Sequence, residues 1–217
     1  TVIPAHEIVH LVWRCLSQAD ASRSLAGWGK NIFGVTVGEN PDDGKPFVLY
    51  HWNAAAGGGA TPKRDGFNQI GHLIALGGLT LPDVEFVEQR YPVRFVKQEF
   101  RRDGGGAGEF RGGTGIDYEI DVLTPARWSF RGEGLGEPSG YGISGGAEGR
   151  GGTMQLHGDG EVFDAPKYGL GEFGPVRLVA SSPGGGGWGD PADRRRDLVE
   201  RDLADGVISA AAALETY

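Results

Sequence analysis

Ile8, Leu11, Val12, Cys15, Leu16 and Ala19 recur at helical spacing and draw one apolar stripe along residues 4–19. Pro4 suits the first turn of that helix, where a missing N–H is harmless. His6, His10, Arg14 and Ser17 fall on the opposite side, read here as solvated. Residues 31–38 and 46–52 read as two strands, joined by the turn Asn40-Pro-Asp-Asp-Gly44. Between Pro92 and Phe130 the chain reads as antiparallel sheet. Ile116, Tyr118, Ile120 and Val122 alternate with Asp117, Glu119 and Asp121, the pattern of one buried and one wet face. The runs 93–100 and 127–131 belong to the same stretch, and shorter strands are expected at 153–156 and 175–180. A polar helix is predicted from about Asp193 to Ala204, halted by Asp205-Gly206, and Ser209 opens a last one. The class is α+β: a β-rich antiparallel middle, helices at both ends and glycine-rich turns. A boundary within residues 1–217 is expected near residue 90.

Glycine changes this picture most. Forty glycines in 217 residues are roughly 18%, where about 7% is usual. They show no Gly-X-Y period, and apolar runs separate the clusters, so neither collagen nor a flexible linker fits. Dense glycine in a globular chain means tight turns, positive φ, or backbone lying against backbone or ligand. The formal net charge of −8 argues against nucleic-acid binding. The one basic run, Arg194 to Arg196, stands among Asp190, Asp193 and Asp197 and reads as a solvated helix face. A single cysteine, Cys15, allows no internal disulfide and no thiolate metal cluster, which fits a cytoplasmic setting. No apolar run approaches the roughly 20 residues of a membrane span.

Three patterns carry candidate chemistry. His6-Glu7-Ile8-Val9-His10 is an H-E-x-x-H, which on a helix offers two zinc ligands and a general base. Trp13 and Leu16 stand where the extended protease pattern needs Gly and a third His, so no metal is assigned there. Gly169-Leu-Gly-Glu-Phe-Gly174 matches the dinucleotide fingerprint, but Pro175 to Val179 reads as strand where a helix must follow. Thr1 has the chemistry of an amino-terminal nucleophile, and loss of an initiator methionine explains it equally well. His51 and His157 read as structural, whereas His72 lies in a glycine-rich polar stretch where a pocket could form.

Four segments in order carry a resemblance. They are Gly57-Gly-Gly-Ala60 with Arg64-Asp65-Gly66; Leu81-Pro-Asp-Val-Glu85 with Glu88-Gln-Arg-Tyr-Pro92; Asp103-Gly-Gly-Gly-Ala-Gly108 leading into Phe110-Arg-Gly-Gly-Thr-Gly115; and Ser182-Pro-Gly-Gly-Gly-Gly-Trp-Gly-Asp-Pro191, followed by Arg194 to Asp202 and Gly206 to Ser209. Together they resemble the hydantoinase B/5-oxoprolinase family, to which acetone and acetophenone carboxylase subunits are related. The match fits the carboxyl-terminal part of such a subunit.

The resemblance implies an ATP-dependent amidohydrolase of cyclic amides such as hydantoin, 5-oxoproline or a lactam. A hydantoinase A-type partner would bind ATP and phosphorylate the substrate, and a divalent metal would be held by the amino-terminal half of the B-type subunit. ATP-dependent ketone carboxylation is the alternative outcome, and a zinc hydrolase using His6 and His10 a further one. Substrate contacts within this chain are expected from Arg64, Asp65, His72 and Arg111. Arg111, set between glycine clusters, suits bidentate binding of phosphate or carboxylate, or else a structural salt bridge.

Overall fold

The structure is a computed structural model that describes residues 2–52, 54–71 and 80–217; Thr1 and His72 lie outside the described residues. The elements are α1 (Val2–Ala19), β1 (Phe33–Glu39), β2 (Pro46–Tyr50), α2 (Val84–Arg90), β3 (Val93–Phe100), β4 (Ile116–Val122) and β5 (Ala126–Arg131). They continue as β6 (Thr153–Gly158), β7 (Glu161–Asp164), β8 (Tyr168–Phe173), β9 (Val176–Ser181), α3 (Arg196–Ala204) and α4 (Ala210–Thr216). The strands form two antiparallel sheets, ordered β2-β1-β5-β8 and β3-β4-β9-β6-β7, and helices stand at both ends of the chain.

The alternation in β4 is realised: Ile116, Tyr118, Ile120 and Val122 are all buried. Opposite them, Val176, Leu178 and Ala180 of β9 and Met154 and Leu156 of β6 continue the layer. Ala126, Trp128 and Phe130 face them from the other sheet, so one apolar core fills the space between the sheets. β5 thus leaves the β3–β4 sheet, contrary to the single sheet expected over 92–130, and pairs with β1 and β8 instead. Within the core His51 lies flat on Trp128, with ring centroids 5.1 Å apart. Its Nε2 is 2.6 Å from the Thr36 hydroxyl and its Nδ1 3.3 Å from that of Tyr118. Burial holds His51 at a pKa of about 3 and pushes Tyr118 above the usual phenol range.

The β1–β2 hairpin closes as expected, with Gly44 N–H donating to the Asn40 carbonyl at 2.8 Å and Gly44 at φ +67. The main glycine clusters do something else. Residues 57–59, 104–106, 112–113 and 184–187 all lie outside the positive-φ region. They run side by side as extended segments and bond through their backbones. Gly58 N–H donates to Phe67, Gly113 to Gly58, Gly185 to Gly113 and Gly106 to Gly185, at 2.8–2.9 Å. A Cβ added at Gly57, Gly112, Gly113, Gly184, Gly185 or Gly186 would overlap a backbone oxygen of the neighbouring segment. Glycine is required there because backbones touch, and the N–H groups of residues 57, 58, 106, 112, 113 and 184–187 each find a carbonyl on a neighbouring segment.

α1 sits on this body the opposite way from its sequence reading. His6 and His10 are buried, while Ile8, Leu11, Val12 and Leu16 are exposed.

Candidate functional site

Asp65 and Arg111 come together, joined by Arg194, which the sequence reading put on a solvated face, and by Asp202, neither of them expected at a site. Both guanidinium Nη atoms of Arg194 donate to the two Asp65 carboxylate oxygens at 2.8 Å. Nη2 also reaches Asp202 Oδ2 at 2.6 Å, and Nη1 the Glu109 carbonyl at 3.0 Å. Arg111 Nε stands 3.0 Å from the same Asp202 oxygen, an ion pair rather than an aligned hydrogen bond. Its Nη1 donates to Asn68 Oδ1 at 3.1 Å, and its backbone N–H to Asp65 Oδ1 at 2.9 Å.

The Arg194 side chain is fully buried and that of Asp202 is 2% exposed. The expected solvated run 194–196 is therefore corrected at its first member, while Arg195 and Arg196 do face solvent. Burial would raise the pKa of Asp65, but the bonds and charge of Arg194, with Arg111 behind, hold it below the usual carboxylate range. Burial alone would lower Arg194; Asp65 and Asp202 outweigh that and raise it. Two buried arginines and two aspartates thus balance one another, with the exposed Arg201 3.9 Å from Asp65 Oδ2 at the edge, and the cluster ties the loop at 65–68 and helix α3 to the glycine layer. The signal for it was Asp202, one helical turn after Leu198 on α3: an acid in line with apolar residues needs a cation.

Arg64 does not join the cluster. It is exposed, and its guanidinium lies over the Phe67 ring, 5.0 Å from the centroid. His72 falls outside the described residues.

A second polar region lies beneath α1. His10 Nε2 accepts the Trp28 backbone N–H at 3.2 Å, and the His6 and His10 rings meet edge to face at 4.7 Å. Burial first, then the neighbouring His6 and Lys30, lowers His10 to a pKa of about 3. Glu7 is paired with Lys30 Nζ at 2.6 Å. A cleft of about 270 Å³ opens beside them, lined by both signs of charge, including Arg14, Glu133, Glu137 and Lys167. The His10 lone pair is occupied by Trp28, and the Glu7 carboxylate is held by a lysine. That geometry does not suit a zinc-bound H-E-x-x-H. Among the described residues no group of three or more His, Cys, Asp or Glu is placed to share a metal ion. The G-x-G-x-x-G at 169–174 lies along β8, with β9 and no helix after it.

The sequence profile of the hydantoinase B/oxoprolinase family matches residues 1–191. The chain belongs to the hydantoinase B/oxoprolinase family. Over its whole length it is 32% identical to the caprolactamase subunit beta of Pseudomonas jessenii, of which it covers 39%. The crystal structure of the ATP-dependent caprolactamase from Pseudomonas jessenii superposes with a TM-score of 0.73 at 30% identity, covering 91% of this chain and 36% of that one. A nucleotide-free acetone carboxylase structure superposes at 0.72 with 21% identity, covering 95% of this chain and 32% of that one; this likeness is one of fold.

The chain thus spans about two fifths of the caprolactamase subunit beta and a little over a third of the solved caprolactamase chain that it matches. The glycine clusters that carried the resemblance are the packed layer, and Arg64-Asp65-Gly66 is the loop braced by Arg194. No helix among the described residues is long and apolar enough to cross a membrane.

Proposed function

We propose that this chain forms part of a multi-subunit ATP-dependent amidohydrolase that opens cyclic amides after a partner subunit has phosphorylated them. The observation that carries the reading is the match over the full chain to a caprolactamase subunit beta. An amide resists water because its nitrogen lone pair is delocalised onto oxygen. Transfer of the γ-phosphoryl group to that oxygen yields ADP and an imidate carbon that water can attack. Collapse expels the ring nitrogen and leaves an acyl phosphate. A second water then attacks its carbonyl carbon, releasing inorganic phosphate and the open-chain amino acid.

Within this scheme ATP belongs to the hydantoinase A-type partner, and any divalent metal to the rest of the B-type subunit. The described residues supply the scaffold: a glycine layer that brings several backbones together and a buried ion cluster that fixes the 65–68 loop. Of the three candidates among the described residues, Arg64 is the one whose charged group stands exposed beside that loop, and it stays a candidate for substrate contact together with His72.

The test uses the assembled enzyme and a lactam labelled with ¹⁸O at its carbonyl. ATP-dependent ring opening with the label emerging in inorganic phosphate is expected. Ring opening without ATP cleavage, or a product carrying a carbon from bicarbonate, would overturn the proposal.

A further inference from the structure

At 100° per residue, Pro4, Ile8, Leu11, Val12, Cys15 and Leu16 share one side of α1, and no charged residue falls among them. This side points away from the rest of the chain. Ile8 and Leu11 are each 61% exposed, Leu16 57% and Val12 50%. The stripe runs on into a groove of about 410 Å³ whose apolar lining is Trp13, Leu16, Ala19 and Leu25, with Asp20, Arg23 and Ser24 completing it. Contiguous aliphatic surface of this kind marks an interaction face.

We infer that the outward stripe of α1 is covered by the polypeptide that a complete B-type subunit carries beyond the length matched here. It rests on the reading that the 217 residues work inside a larger subunit. Two observations select this occupant. The caprolactamase subunit beta is matched over only 39% of its length, so most of a related subunit lies outside this fold. The stripe also has the character of a divided core: surfaces that separate in solution mix polar groups through their contact area, whereas permanent interfaces are more apolar. Helix α1 is then an internal helix of the whole subunit. Its histidine edge packs on the Trp28 backbone and the Tyr141 ring, and its aliphatic edge on the remaining polypeptide.

Cys15 is the chain's single cysteine, is exposed, and sits within the stripe, so it reports on that face directly. Its labelling by a small maleimide, read from the mass of the Cys15 peptide, is compared between this chain alone and the complete subunit. Protection of at least about tenfold in the complete subunit is expected, since a buried thiol is shielded from the reagent. Equal labelling in both would overturn the inference. So would protection of the chain alone that grows with concentration alongside a doubled mass, because the occupant would then be a second copy. So would protection that appears only when the ATP-binding partner is added.

Ile8→Glu with Leu11→Glu provides a second measurement. The unfolding midpoint of the isolated chain should stay in place, while its recovery with the remaining polypeptide should fall at least about tenfold. A lowered midpoint would place both side chains in contacts within the chain and contradict the assignment; undiminished recovery would contradict it too. None of these readouts uses turnover, so a failed lactam assay would leave them standing.

Discussion

Gly140→Ala tests whether the glycine layer is held by backbone contact. A Cβ on Gly140 would lie 2.6 Å from the Gly184 carbonyl oxygen, 2.7 Å from Gly185 Cα and 2.7 Å from Gly186 N. Real Cβ atoms essentially never approach closer than 3.0 Å, so the 184–186 run would have to retreat. It has nowhere to go. On its far sides Gly184 abuts the Gly104 backbone and Gly185 that of Gly58. Moving it also strains the bonds from Gly185 N–H to Gly113 and from Gly186 N–H to Gly27, at 2.9 and 2.8 Å. Overpacking of a rigid interior costs about 1–3 kcal/mol, and rigid backbone on several sides places this site at about 3 kcal/mol.

The matched control is Gly174→Ala, where a Cβ meets nothing within 4 Å and φ is not positive. There the methyl only restricts the unfolded chain, which stabilises by about 0.4–1 kcal/mol. Urea unfolding of both variants should therefore separate them by about 3–4 kcal/mol, a gap of roughly 6–16 °C in Tm for a chain of this size. If both variants unfold within about 0.5 kcal/mol of each other, the layer does not depend on close approach and the account of the glycines is wrong.

Other consequences are as specific. Asp202→Ala leaves Arg111 and Arg194 buried without their shared anion and should destabilise by about 3–5 kcal/mol in the same urea assay; a loss below 1 kcal/mol would show that the cluster holds nothing. His51 and His10, both at a pKa of about 3, must take up protons on unfolding below their free value of 6.5. Stability present above pH 6.5 is thus lost as pH falls toward 3, by about 1.4 kcal/mol per pH unit for each histidine, or about 2 kcal/mol each by pH 5. Ring-proton NMR that finds either group titrating near 6.5 would contradict this. The depressed Asp65 and Asp121 add their own loss lower on the scale, once pH drops below about 3.8. Arg64→Ala, at an exposed side chain, should change stability by less than about 0.5 kcal/mol. A fall in turnover of the assembled enzyme with that variant would then report substrate contact, and unchanged turnover would remove Arg64 from the site.

Alternation made β4 legible because both its faces are decided within this chain: core on one side, paired charges on the other. The same logic found α1 and misread its orientation. Amphipathicity shows which side of a helix is apolar, and says nothing of whether the covering surface belongs to the same polypeptide. The glycine clusters were visible as composition, yet turn and close packing share one letter. Only the negative-φ segments bonded to one another decide between them. β7 and β8 escaped because Glu161–Asp164 is exposed throughout and Tyr168–Phe173 alternates glycine with exposed side chains until the half-buried Phe173, which leaves no apolar period to read. Arg194 was hidden by its neighbours: two adjacent arginines that face water made a buried one look like part of a solvated run.

The most direct measurement is turnover of a cyclic amide with ATP by this chain alone and by the same chain assembled with the rest of the B-type subunit and an ATP-binding partner. Ring-opened product and ADP should form together in the assembly and be undetectable with the isolated 217 residues. Coupled turnover by the isolated chain would contradict its place as one part of a larger enzyme.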